Sequence, residues 1–107
     1  MSSSQVIANY ELLAALNERM RAAAEQGEWQ QLINIEQQCK PLLAAMKSLD
    51  ATVKLDAVAH LRKADLIKKI LADDAEVRKH AQVWMDQLQL SMQSNRQERR
   101  LRLAYSG

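Results

Sequence analysis

Apolar residues recur along this chain in steps of three and four, and the first such series is Val6, Tyr10, Leu13, Leu16, Met20 and Ala23. That spacing predicts an amphipathic helix over about residues 5–26. Ser3 or Ser4 can start it, because a serine oxygen accepts from the unpaired amides of a first turn. Leu12 and Ala15 widen the stripe, as expected of a helix that touches two neighbours. A second series, Trp29, Leu32, Ile35, Cys39, Leu42, Met46 and Leu49, predicts a helix over about residues 28–49. Pro41 falls inside it and removes a backbone hydrogen bond. The stripe stays in phase on both sides, so a bend just before Pro41 is expected rather than a break. Gln26-Gly27-Glu28-Trp29 leaves almost no linker between the two patterns, and Gly27 stands where a left-handed helix-ending residue would. A helical hairpin is therefore the seed of the fold. Glu28 suits the positive end of the second helix, and the Trp29 indole can fold back over the first.

The polar stretch Asp50–Lys54 is the second connection, with Asp50 and Thr52 offering oxygens for a turn or a cap. Beyond it the apolar series runs Leu55, Ala59, Leu66, Ile70, Val77, Ala81, Trp84 or Met85, Leu88 and Met92, a helix over about residues 55–92. Two readings are open at Asp73-Asp74. Asp73 with Glu76 resembles a capping box that opens a new helix, yet the seam stays in phase and suits one continuous helix. Ser94-Asn95 reads as a stop and cap, after which Arg96 to Tyr105 makes a short basic helix. The predicted architecture is all-α: a small antiparallel helical bundle of three long helices in residues 1–94, plus a short C-terminal helix or tail in residues 95–107 of the same domain.

Composition supports this reading. Among 107 residues there are two glycines, one proline and no phenylalanine, a balance that favours helix and starves strands and turns. The length suits one domain with one core. A lone Cys39 has no internal disulfide partner and fits a reducing compartment. Met1-Ser2-Ser3-Ser4 is not a basic, apolar leader, and no apolar run approaches about 20 residues, so a cytoplasmic protein without membrane insertion is expected. Charge is polarised: residues 1–90 carry a net of −1, whereas residues 91–107 set Arg96, Arg99, Arg100 and Arg102 against Glu98, a net of +3. Such a cluster suits nucleic acid, an acidic protein surface or plain solvation. The overall net charge is only +2 and no helix-turn-helix spacing precedes the cluster, which favours protein docking over direct nucleic-acid binding.

The candidate chemistry is thin. His60 and His80 are far apart, and only Glu76, four before His80, lies at ligand spacing; one such pair without a third ligand is more often a solvated ion pair. Asp73-Asp74-Glu76 lacks the glycine and spaced oxygens of a calcium loop and reads as a solvated acidic turn. Cys39 lies on an apolar helix face without a neighbouring histidine, the pattern of a small core residue. No glycine-rich phosphate loop is present. An enzyme, a cofactor and a bound metal are all unexpected. Met20, Met46, Met85 and Met92 are either core or the adaptable lining of a groove that accepts an amphipathic helix.

Several segments together resemble one family. Glu25-Gln26-Gly27-Glu28-Trp29 with Leu32 and Glu36, Ile67-Lys68-Lys69-Ile70-Leu71 leading into Asp73-Asp74, and Ser94-Asn95-Arg96-Gln97 closing on Ala104-Tyr105 are similar to the flagellar export chaperone family FliT. The resemblance spans nearly the whole chain. It implies a cytoplasmic chaperone for the filament-cap protein FliD, delivering it to the flagellar type III export apparatus. It further implies contacts with the export ATPase and the export gate and, in some members, inhibition of the flagellar master transcriptional regulator. By the same resemblance Tyr105 is a gate contact, with Ile67 and Arg78 as further partner residues. Arg99 and Arg100 of the basic cluster, and Met85 and Met92 of the apolar series, complete the candidate set. The final helix would be regulatory, covering the groove and detaching when a partner competes. A helical adaptor or dimerisation module, with the apolar seam joining copies in a homo-oligomer, is the alternative.

Overall fold

The computed structural model describes the backbone of residues 2–106 and the side chains of residues 3–92. These residues form three helices and no strand: α1 (Ser2–Glu25), α2 (Trp29–Asp50) and α3 (Ala57–Ser106). Each helix begins and ends for a local reason. Gly27 adopts φ +72, and around it the Gly27 amide donates to the Ala24 carbonyl at 3.2 Å and the Glu28 amide to the Ala23 carbonyl at 2.8 Å. That pair of bonds satisfies carbonyls the helix end would leave bare, which is why the chain reverses here within three residues. Glu28 precedes α2 without a side-chain capping bond. At the far end the Thr52 hydroxyl donates to the Leu49 carbonyl at 3.1 Å. Asp56 then caps α3, its Oδ1 accepting from the Ala59 amide at 2.8 Å.

The chain forms two compact units, Met1–Val77 and Arg78–Gly107. In the first, α1 and α2 are antiparallel, joined by the Gly27 turn at one end and tied at the other by the Tyr10 hydroxyl donating to Asp50 Oδ2 at 2.6 Å. Three polar links hold α3 beside α1: Glu11 with Arg62 at 3.5 Å, Glu18 with Lys69 at 3.1 Å, and Arg21 with Asp73 at 3.0 Å. The sequence offset between partners stays at 51 or 52 residues, so α1 and this part of α3 run parallel, as an up-down-up order requires. By the same register Glu25, the last residue of α1, lies level with the end of the first unit.

The core is built from the predicted faces. Leu13, Leu16 and Met20 of α1 pack with Ile35, Cys39 and Met46 of α2, and Tyr10, Leu32, Leu42, Ile70 and Val77 close around them. Burial of these side chains is the main drive for folding the hairpin. Three expectations change. Leu12 is 52% exposed and Ala15 is also exposed, whereas Ala14, Asn17 and Ala24 are buried. The second contact of α1 is therefore made by small residues, plus an asparagine whose Nδ2 donates to the Leu13 carbonyl of its own helix at 2.9 Å. Trp29, which opens the apolar series of α2, is only half-buried where the rest of that face is expected inside, with its Nε1 on the Gly27 side of the turn. Thirdly, α3 runs on through both Asp73-Asp74 and Ser94-Asn95 to Ser106, so there is no separate short C-terminal helix. Ser and Asn cost a helix only about 0.5 kcal/mol each, and neither glycine nor proline lies between Pro41 and Gly107 to force a stop.

Candidate functional site

Asp73 is where the acidic turn was expected to be solvated. Instead it is 3% exposed, and its Oδ1 accepts from Arg21 Nη1. The acidic character of Asp73-Asp74-Glu76 is thus spent partly inside the fold, holding α1 to α3. Cys39 is buried at 5% exposure, and burial, helped by the nearby Glu36 charge, pushes its thiol above the usual range. A thiolate nucleophile is the opposite requirement. His60 lies at the edge of a surface hollow of about 390 Å³ between Val6, Val53, Leu55, Asp50, Lys54 and Lys63. There Asp50 is already engaged by Tyr10 and by Lys63, whose Nζ is 3.6 Å away and also stands over the Tyr10 ring. Desolvation by burial, followed by the bond to Asp50 and its charge, pushes the Tyr10 phenol up to about 12. This cluster is a clamp joining the open end of the hairpin to α3: Asp50 Oδ2 takes both Tyr10 and Lys63, while Asp50 Oδ1 is buried without a hydrogen-bond partner.

The methionines divide cleanly. Met20 and Met46 are core residues, buried at 9% and 4% exposure, and do not line a groove. Met85 and Met92 belong to the second unit and are 57% and 50% exposed. Within that unit, Val83, Trp84, Leu88 and Leu90 are exposed as well. Trp84, Leu88 and Met92 recur every four residues and Met85 adjoins them, so these four share one stripe along about two turns of helix. Arg78, Met85 and Met92 recur every seven and line one edge of it. A stripe of large apolar side chains left in water is the usual mark of a surface that another chain covers.

The remaining candidates fall apart from one another. Ile67 is half-buried in the first unit and Arg78 is exposed at the start of the second. Arg99, Arg100 and Tyr105 lie within α3, but their side chains are outside the described residues. The residue that sequence reasoning undervalued is Trp84, taken there as one more inward position. Its signal was available only as a continuation: the series Ile70, Val77, Ala81, Trp84 keeps its period, while Trp84 itself is exposed.

Among the described residues no helix is long and apolar enough to cross a membrane. No curated protein matches the chain. A family model described as flagellar protein FliT matches residues 7–107. The crystal structure of flagellar protein FliT from Bordetella bronchiseptica is similar at a TM-score of 0.74 and 33% sequence identity, covering 78% of this chain and 94% of that one. A family model that matches nearly the whole length, together with a helix arrangement shared over 78% of the chain, means that this chain belongs to the FliT family of flagellar proteins.

Proposed function

We propose that this protein is a cytoplasmic, non-enzymatic chaperone of flagellar type III export, which binds the filament-cap protein FliD and delivers it to the export apparatus. The observation that carries the reading is the exposed Trp84, Met85, Leu88 and Met92 stripe on a helix of a FliT-family chain. An amphipathic helix of an unfolded substrate can lay its apolar face on such a stripe, and methionines adapt to differing partners at little cost. The export ATPase, the export gate and the flagellar master transcriptional regulator are further proposed partners, with Tyr105, Ile67 and Arg78 as contact residues. Capture of a C-terminal FliD peptide by the purified protein tests the reading. Binding that Met85→Ala and Met92→Ala weaken supports it. A protein that ignores the peptide, yet self-associates through the same residues, is a dimerisation module instead.

A further inference from the structure

The hollow at the open end of the hairpin has a chemistry of its own. Its wall is aliphatic, made of Val6 of α1, which is 2% exposed, and the half-buried Val53 and Leu55 of the connection between α2 and α3. Around that wall stand Lys54, His60 and Lys63, with Asp50 as the one acid of the lining. Asp50 has little left to offer a ligand, since its Oδ2 takes Tyr10 and Lys63 and its Oδ1 is out of reach of solvent. Lys63 is occupied in turn, standing 3.6 Å from Asp50 and 5.3 Å from the centre of the Tyr10 ring. Lys54 and His60 differ. Both are exposed, and neither makes a side-chain hydrogen bond or ion pair with any described residue. Asp56, the other acid of this connection, caps α3 through its Oδ1 and lines a separate hollow with Glu11 and Arg62. Two donors are therefore unspent beside an aliphatic wall whose own carboxylate is already engaged.

That combination selects a ligand. A cation would be repelled by Lys54 and Lys63. A phosphate favours arginine forks or runs of backbone amides, but the lining holds no arginine and the wall would go unused. A carboxylate borne by a short aliphatic group suits both halves, because the His60 ring donates an N–H whether neutral or charged and the Lys54 ammonium adds charge. The volume of about 390 Å³ lies within the range of small-ligand clefts. The geometry points to a binding site for an aliphatic carboxylate, with Lys54 and His60 holding the acid and Val6, Val53 and Leu55 the hydrocarbon. Such a group is carried by the free C-terminus of a chain ending in leucine, isoleucine or valine, and equally by a small branched acid.

The probes are N-acetyl-leucine, its amide, N-acetylglycine, inorganic phosphate, and a peptide of about six residues ending in leucine with a free carboxylate. Each is titrated into the isotope-labelled full chain, and amide NMR shifts locate where it binds. The leucine acids should bind at least about tenfold more tightly than the amide, and that gap should narrow as salt rises. N-acetylglycine, which lacks the hydrocarbon, should bind at least about threefold more weakly than N-acetyl-leucine. Lys54→Gln and His60→Gln should each weaken the leucine acids at least about threefold, leaving the amide and the thermal melt unmoved because both side chains are exposed. A peptide at least about tenfold tighter than N-acetyl-leucine assigns the site to a chain terminus, whereas equal affinity assigns it to a small acid; the carboxylate site stands in both cases. Equal binding of acid and amide, shifts that spare Val6 and residues 50–63, or phosphate that competes as well as N-acetyl-leucine overturns the inference. So does the absence of binding by either leucine acid at about 10 mM.

Discussion

Arg21 and Asp73 lie 52 residues apart, yet the Arg21 Nη1 donates to the Asp73 Oδ1 at 3.0 Å, with the carboxylate almost wholly out of solvent. The guanidinium is not equally enclosed: its side chain is 38% exposed, and its Nε stands 3.6 Å from Glu25 Oε1. One charge is thus buried and the other partly wet, so removing the wet one strands the buried one.

Arg21→Ala should therefore destabilise the fold by about 2 kcal/mol, less than the roughly 3–5 kcal/mol of a fully buried pair because solvent screens the arginine. Replacing both, as Arg21→Met/Asp73→Leu, should recover most of the loss, since neither charge is then left unpaired. Urea unfolding of the two variants beside the parent measures both numbers. A double variant weaker than the single one would mean that the pair itself stabilises the fold.

Gly27→Ala isolates backbone strain. A Cβ placed there would meet only Trp29 Nε1 at 3.9 Å, an ordinary contact, so crowding contributes nothing. What remains is the left-handed conformation, which costs a residue with a Cβ about 1–2 kcal/mol. Thermal and urea unfolding should show a loss in that range, with the helix content of the native state unchanged.

Tyr10 makes stability depend on pH in the alkaline range. Its folded phenol titrates at about 12 against an ordinary value of 10. A group whose pKa is raised by folding contributes stability that is complete below the unfolded value and is lost as pH climbs through the folded one. The parent should accordingly lose stability between about pH 10 and pH 12, and Tyr10→Phe should show a shallower decline there. At neutral pH the same substitution removes the bond to Asp50 and should cost about 1 kcal/mol. A high-pH absorbance titration that lacks its latest phenolate step in Tyr10→Phe would assign that step to this ring.

The methionines offer a paired comparison. Met46→Ala empties a buried position and should cost about 2–4 kcal/mol. Met92→Ala changes an exposed one and should stay within about 0.5 kcal/mol of the parent. Partner binding should move the other way, falling for Met92→Ala and holding for Met46→Ala wherever the latter remains folded. Calorimetric melts with a peptide-binding titration on each variant read both effects.

Much of this molecule was determined locally. The apolar period of residues 6–23 and 29–49 and the unique demand of Gly27 for a left-handed backbone specify the hairpin, because helix faces and turns depend on neighbours a few residues away. Three things were decided only by tertiary structure. Whether Leu12 or Ala14 faces inward depends on where a third helix lies against α1, and that position is set by contacts about 51 residues distant. Asp73 reads as a helix cap beside its own neighbours and becomes a buried partner only because Arg21 arrives from α1. The series from Leu55 to Met92 has one period throughout, yet its first part is packed and its last part is exposed. Periodicity reports that a helix has an apolar face; it cannot report whether that face is buried.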